Sequence, residues 1–267
     1  MIHDFLSYLQ QTKGYSINTI KSYGHYLSDL SLYLREVGKE ETAATLNDIQ
    51  TYLDALALSP STKKLMASAY RSYYRWLRHK GFDTDKNIRY LETPKLAKRI
   101  PHTINVEEIA ATLQDKSING EVRAMIALIR YTGLRISEVL NLRLSDIDKE
   151  RMSIFVTGKG AKERVVYYNE TLRNYLNANV RPKDGQLFHF SDREARYLIH
   201  AALTKHSTAT YNSPHILRHT FASDLLGNGC PLMTIKELLG HESVKTTEGY
   251  LRVNNHNVKS DYLQYCG

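Results

Sequence analysis

Apolar residues recur at three- and four-residue intervals through the first ninety positions, and the pattern then stops at a segment rich in proline and basic residues. That spacing suits helices and excludes strands. Phe5, Leu6, Tyr8 and Leu9 form one apolar face. Ser16-Ile17-Asn18-Thr19 opens a second helix, with Ile20, Tyr23, Leu27, Leu30 and Leu34 along one side and Gly38 as its stop. A third helix is predicted near Leu46 to Leu56. A fourth starts at Ser59-Pro60-Ser61, because Pro fits a first helical turn, and closes at Gly81. Residues Glu92 to Thr103 carry Pro94 and Pro101 with Lys95, Lys98 and Arg99, which reads as a linker. The expected organisation is a helical domain over 1–91, a basic linker over 92–103 and a second domain over 104–267.

The fourth helix has one sign of charge. Between Asp54 and Asp83 there is no acid, while Lys63, Lys64, Arg71, Arg75, Arg78 and Lys80 fall there among Tyr70, Tyr73, Tyr74 and Trp76. A helix kept soluble by charge usually mixes signs and gains i,i+4 pairs. A single-sign stripe repels itself unless a polyanion neutralises it. The whole chain of 267 residues has a formal charge of +8, in line with a polyanionic partner. Cys230 and Cys266 have no paired spacing, which argues against a disulfide framework or a cysteine zinc site and fits a reducing compartment. There is no apolar run of membrane-spanning length, and Met1-Ile2-His3-Asp4 lacks signal-peptide features, so a cytoplasmic protein with no membrane partner is expected.

Beyond the linker, helices are predicted at Val106 to Leu113, Val122 to Tyr131, Glu170 to Asn179, Asp192 to Lys205, Pro214 to Leu226 and Leu232 to Leu239. Met152 to Val156 and Arg164 to Tyr168 read as strands of a hairpin around Thr157-Gly158-Lys159-Gly160-Ala161-Lys162. Asp146 and Asp148 read as turn residues rather than metal ligands. The fold class is mainly α with a small antiparallel β-sheet in the C-terminal domain.

Chemistry concentrates near the C-terminus. His215 and Arg218, at i and i+3, share a helix face just after the start signal Ser213-Pro214. His241 follows Gly240 at a helix end, and Tyr250 lies nine residues on. Taken singly, each is an ordinary structural feature, and Tyr250 is one of nineteen tyrosines. Together they suit a site that clamps a phosphate and attacks it with a phenolic oxygen.

The string Ser213-Pro214-His215-Ile216-Leu217-Arg218-His219, then Leu239-Gly240-His241, then Thr246-Thr247 and Tyr250 resembles the tyrosine recombinase family of phage integrases and Xer-type recombinases. Tyr131-Thr132-Gly133-Leu134-Arg135-Ile136-Ser137-Glu138 is similar to the family's first-arginine motif, and Gly158 through Arg164 to its lysine hairpin. The resemblance spans the chain, the N-terminal helices and basic linker looking like the family's core-binding domain. It implies a site-specific DNA recombinase in which two domains form a C-shaped clamp on DNA. By residue, it implies Arg135 and Arg218 as phosphate clamps, since guanidinium is permanently charged and fork-shaped. His215 and His241 would donate hydrogen bonds, and one of them would accept the phenol proton. Lys159 would be the general acid for the 5′-oxygen, with Lys162 beside it as a DNA-backbone contact. Tyr250 would be the nucleophile, giving a 3′-phosphotyrosyl link, and Glu138 would brace the first arginine. The DNA-backbone set would be Lys63, Lys64, Arg71, Arg75, Arg78, Lys95, Lys98 and Arg99, together with Lys162. No metal and no cofactor is implied, because the arginines neutralise the phosphate.

The implied partner is double-stranded DNA with paired inverted-repeat sites, bound by a homotetramer that passes through a Holliday junction; a second, different recombinase subunit is compatible with this. Asn257 to Leu263 reads as a short helix docking on a neighbour or on its own chain. Integration, excision, inversion and dimer resolution all fit. Two alternatives stay open on sequence: a type IB topoisomerase-like relaxing enzyme, and a non-catalytic DNA-binding regulator of the same fold.

Overall fold

The computed structural model describes residues 1–95, 102–158, 163–209 and 212–240. The chain divides into two compact units, Met1–Lys98 and Arg99–Gly267.

The first unit is helical: α1 (Ile2–Gln11), α2 (Ile17–Glu36), α3 (Leu46–Ala55) and α4 (Pro60–His79), with 3-10 turns at Glu41–Ala43 and Lys86–Tyr90. Three of these four helices, α2, α3 and α4, start at a side-chain cap. The Ser16 and Ser59 hydroxyls accept from the N–H groups of Thr19 and Thr62. Thr45 and Asp48 form a reciprocal capping box, with Thr45 N–H donating to Asp48 at 2.9 Å and Asp48 N–H to Thr45 at 3.3 Å. The core is built from Phe5, Leu9, Leu27, Leu34, Ile49, Leu53, Met66 and the aromatics of α4.

The aromatics of α4 and its basic residues take different sides. Tyr70, Tyr73, Tyr74 and Trp76 are all buried. The tyrosine hydroxyls find partners inside, Tyr70 on the Tyr26 carbonyl at 3.2 Å and Tyr74 on the Glu41 carbonyl at 2.9 Å. The basic residues also divide. Lys63 donates to the Asp54 carbonyl, Arg71 to the Leu91 carbonyl and Arg78 to the Asp85 carbonyl, so these three help to hold the unit together. Lys64, Arg75 and Lys95 are exposed.

The second unit contains α5 (Val106–Gln114), α6 (Gly120–Thr132), α7 (Ile136–Leu140), a three-stranded sheet, α8 (Glu170–Asn179), α9 (Asp192–Thr204), α10 (Pro214–Gly227) and α11 (Leu232–Leu239). Helix α6 is apolar almost all round, with Ala124 through Ile129 fully buried, so it lies at the centre and packs on α8, α9 and α10. The sheet is antiparallel in the order β1 (Ile147–Asp148), β2 (Ser153–Thr157), β3 (Glu163–Tyr167). Ile154 faces Val166 and Val156 faces Arg164 on the inner side, while Phe155 and Val165 pair on the open side.

Two elements go beyond the sequence expectation: β1, of two residues, and α7, of five. Neither is long enough to show a period. Asp146 and Asp148 do act as turn residues, accepting from the N–H groups of Arg143, and of Glu150 and Arg151.

Helix α6 ends in a left-handed Gly133, with φ of 66°. A Cβ there would lie 2.5 Å from a Phe221 ring carbon and 3.0 Å from Leu239. Gly133→Ala therefore combines backbone strain with overpacking, and should cost on the order of 2–4 kcal/mol in urea unfolding. A loss below about 0.5 kcal/mol would show that the turn relaxes freely.

Candidate active site

The turn at Gly133 delivers Arg135 to the first residue before α7. Glu138, three residues on, folds back and accepts the Arg135 backbone N–H at 2.8 Å. The same carboxylate accepts Arg135 Nη1 at 2.8 Å, so backbone and side chain are held by one group. A second guanidinium reaches Glu138 from the inner face of β3: Arg164 donates Nη1 and Nη2 to its two oxygens at 2.9 and 2.8 Å. The Glu138 side chain is 5% exposed. Burial would push its carboxyl up, but the Arg164 hydrogen bonds, the Arg135 N–H and the two positive charges outweigh this and bring it down to about 2.

Arg218 comes from α10. It is buried and donates to the Gly133 carbonyl and, at 2.5 Å, to the Leu239 carbonyl. It thus ties the start of the Arg135 loop to the end of α11. The last carbonyls of a helix have no partner within it. Here three consecutive ones, of Leu238, Leu239 and Gly240, accept from Arg164 at 2.9 Å, Arg218 at 2.5 Å and Arg135 at 3.1 Å. Cations at the negative end of a helix are favourable as well as donors. Gly240 has φ of 61°, and a Cβ there would come within 3.1 Å of the Arg164 guanidinium.

His215 lies one turn before Arg218 on α10 and is exposed. Loss of hydration, then the fields of Arg196, Arg218 and Arg135, lower its pKa below the ordinary histidine range. A lowered pKa keeps the ring neutral near pH 7, able to accept a proton or donate one hydrogen bond. A cleft of about 270 Å³ opens beside this cluster, with Arg135, Glu138, Asn141, Thr157 and Gly158 in its wall. Four permanent or potential cations and one bracing carboxylate therefore gather at one edge of the unit, an arrangement suited to a phosphate.

Of the residues singled out in the sequence, Arg135, Glu138, His215 and Arg218 come together here. Lys159, Lys162, His241 and Tyr250 lie outside the described residues, as do Lys98, Arg99 and the segment Asn257 to Leu263. Their described neighbours Gly158 and Gly240 both belong to the cluster, the first in the cleft wall and the second bonded to Arg135. Arg164 is the residue that sequence motifs alone give no role. Its signal is register: it falls on the inward-facing side of a strand, where a lone arginine needs a carboxylate. Among the described residues no group of three or more His, Cys, Asp or Glu is placed to hold a metal ion, and no helix is long and apolar enough to cross a membrane.

The Glu138 pairing fixes a pH dependence. A carboxyl with a folded pKa below its unfolded value adds stability that is complete above the unfolded value and is lost as pH falls through the folded one. The unfolded value is the ordinary 4.5 and the folded one about 2. In urea unfolding, wild type should exceed Glu138→Gln by on the order of 2 kcal/mol at neutral pH, and the gap should narrow between about pH 5 and pH 2. A gap that stays constant over that window would contradict the ion-pair account.

Comparison with known proteins places these features in a family. The phage integrase family matches residues 102–257, and the phage integrase N-terminal SAM-like domain matches residues 2–81. Tyrosine recombinase XerC of Listeria welshimeri is 31% identical, over 98% of this chain and 95% of its own. Tyrosine recombinase XerD of Rhizobium meliloti is 32% identical, over 94% and 90%. In fold, the chain is similar to XerH site-specific recombinase bound to its palindromic difH substrate, with a TM-score of 0.75 and 19% identity over 98% of this chain and 84% of that one. An arginine–carboxylate clamp, a histidine one turn before a second arginine, and this full-length likeness lead to one assignment: the chain belongs to the phage integrase family and is a tyrosine-type site-specific DNA recombinase.

Proposed function

We propose that Arg135 and Arg218 bind the two non-bridging oxygens of the scissile phosphate, and that Tyr250 attacks its phosphorus. The observation that carries this is the shared scaffold of the two guanidinium groups: both are fixed to the Gly133 turn or the end of α11, close enough for each to depress His215. The phenol proton passes to His215 or His241, and the tyrosine oxygen forms a bond to phosphorus as the bond to the 5′-oxygen breaks. Lys159 supplies the proton that the leaving oxygen takes. The products are a 3′-phosphotyrosyl link and a free 5′-hydroxyl; religation reverses the same steps and uses no nucleotide, because the bond energy stays in the adduct. Neither a metal nor a cofactor enters this scheme.

The domain roles follow. Residues 1–91 form a core-binding domain, 92–103 a basic linker along the DNA backbone, and 104–267 the catalytic domain. Lys64, Arg75 and Lys95, exposed in the structure, contact phosphates together with Lys98, Arg99 and Lys162; Lys63, Arg71 and Arg78 reach DNA only with the parts of their side chains not engaged internally. The substrate is a pair of duplex sites, each an inverted repeat around a short spacer. Four strands must be cut, so a homotetramer acts, with room for a second recombinase subunit. The setting is the cytoplasm. Integration, excision, inversion and dimer resolution are all exchanges of this kind.

The test uses a library of nicked duplexes with randomised arms. Wild type should leave a covalent protein–DNA adduct on a denaturing gel, and the captured duplexes should share an inverted repeat. Tyr250→Phe should give no adduct, and Arg135→Gln or Arg218→Gln should slow its formation by about a hundredfold or more. An adduct with Tyr250→Phe equal to wild type sinks the assignment of the nucleophile. Exchange between two marked copies of the captured site separates recombination from simple relaxation of supercoils.

DNA binding has its own readout. The logarithm of the binding constant should fall linearly with the logarithm of salt concentration. Lys64→Ala or Arg75→Ala should flatten that slope by about 0.9 for each phosphate that the wild-type side chain neutralises. An unchanged slope removes the residue from the DNA-binding set.

A further inference from the structure

Arg135 and Glu138 alone make a neutral pair, one guanidinium against one carboxylate. A phosphate clamp with its charge cancelled is a weak clamp. The structure adds a third charge. Arg164 grips both oxygens of Glu138, so two guanidinium groups share one carboxylate and the set is net positive by one.

The two arginines are differently placed. The Arg164 side chain is 11% exposed, and all three of its nitrogens are engaged, Nε on Leu238 and Nη1 and Nη2 on Glu138. It has no free edge to offer a substrate. The Arg135 side chain is 33% exposed, lines the cleft and keeps donors beyond those given to Glu138 and Gly240. Arg164 is the inner grip, and Arg135 the outer one that faces the cleft.

We propose that Arg164 is a positioning residue for strand cleavage: it fixes Glu138 in a two-point fork, so that Glu138 braces Arg135 without cancelling the charge that phosphate requires. It also fastens β3, the strand that returns from the Lys159 hairpin, to the end of α11 through the Leu238 carbonyl. This rests on the reading of Arg135 as a phosphate clamp. A purely packing role at that inward site on β3 would need no charge.

The groups facing Glu138 are Arg135 at the start of its own helix and Arg164 from β3; α11 contributes carbonyls that accept from those two, and Asp146 lines another part of the cleft wall. Burial is already the largest influence on Glu138; removing Arg164 takes away the strongest of the influences that oppose it and shifts the carboxyl toward its neutral form.

Arg164→Met and Arg164→Lys are compared with wild type on the captured nicked duplex, scoring adduct formation from about pH 5 to pH 8 together with duplex affinity and thermal unfolding. Arg164→Met is expected to bind the duplex as wild type does and to cleave it more than tenfold more slowly, with a new acid limb falling about tenfold per pH unit. Adding Glu138→Gln to Arg164→Met should abolish that limb. Arg164→Lys, which keeps the charge but not the fork, should recover part of the rate and show no limb. Uniform slowing with an unchanged pH profile would mark Arg164 as structural and overturn the inference. If Arg164→Met is unfolded at assay temperature, Arg164→Lys carries the test, and a wild-type cleavage rate in it overturns the inference. Full cleavage by Arg135→Gln would instead remove the underlying reading of the clamp.

Discussion

The carboxylate of Glu138 is held between two guanidinium groups at 2.8–2.9 Å, and much of the site's geometry follows from that contact. A buried carboxylate is costly unless it is paired and hydrogen-bonded. Here it has two ionic partners and a backbone N–H, so the cost is offset and the group stays charged. Each partner then anchors something else: Arg135 the loop after α6, and Arg164 the sheet and the end of α11. Elements far apart in sequence meet at one small anion. That is how a mostly helical unit fixes the side chains at the start of α7 and on β3 against each other.

The end of α11 plays the complementary part. A helix terminus leaves carbonyls in need of donors, and most proteins meet that need with water, a glycine cap or a lysine. In this chain three arginines do so in succession. Guanidinium suits the task because it has several donors, so Arg135 satisfies a carbonyl on one side and still lines the cleft on the other, while Arg164 spends its donors inside the protein. Glycine at 133 and at 240 makes the approach possible, since a side chain at either position would occupy space taken by Phe221, Leu239 or Arg164.

Much of the fold was legible from the residues. Helices with strong periodicity and explicit start signals, such as α2 after Ser16 and α4 after Ser59-Pro60, appear where their punctuation places them. The short pieces were not legible: α7 is under two turns and β1 is two residues, so packing rather than pattern creates them. The acid-free stretch of α4 was only half readable. Sequence shows charge but not which way it faces, and Tyr70, Tyr73 and Tyr74 turned inward while Arg71 and Arg78 closed on carbonyls. In the site, Arg135, Glu138, His215 and Arg218 could be named because they sit in dense local motifs. Arg164 could not be weighed, because its importance depends on a register across the sheet and on a partner twenty-six positions away.

Gly240 is pinned to Arg135 and adjoins the carbonyl held by Arg218, so the chain leaves this point from a fixed post. Tyr250 follows ten positions later. Covalent geometry allows at most about 3.3–3.6 Å per residue, which confines the Tyr250 Cα to a sphere with a radius of about 35 Å around that post. In the proposed mechanism, a nucleophile on so short a leash meets its phosphate at an effective concentration far above that of any free phenol. The arginines proposed to bind the substrate, Arg135 and Arg218, also set the origin of the leash, so that loosening either would lengthen the search as well as weaken the grip.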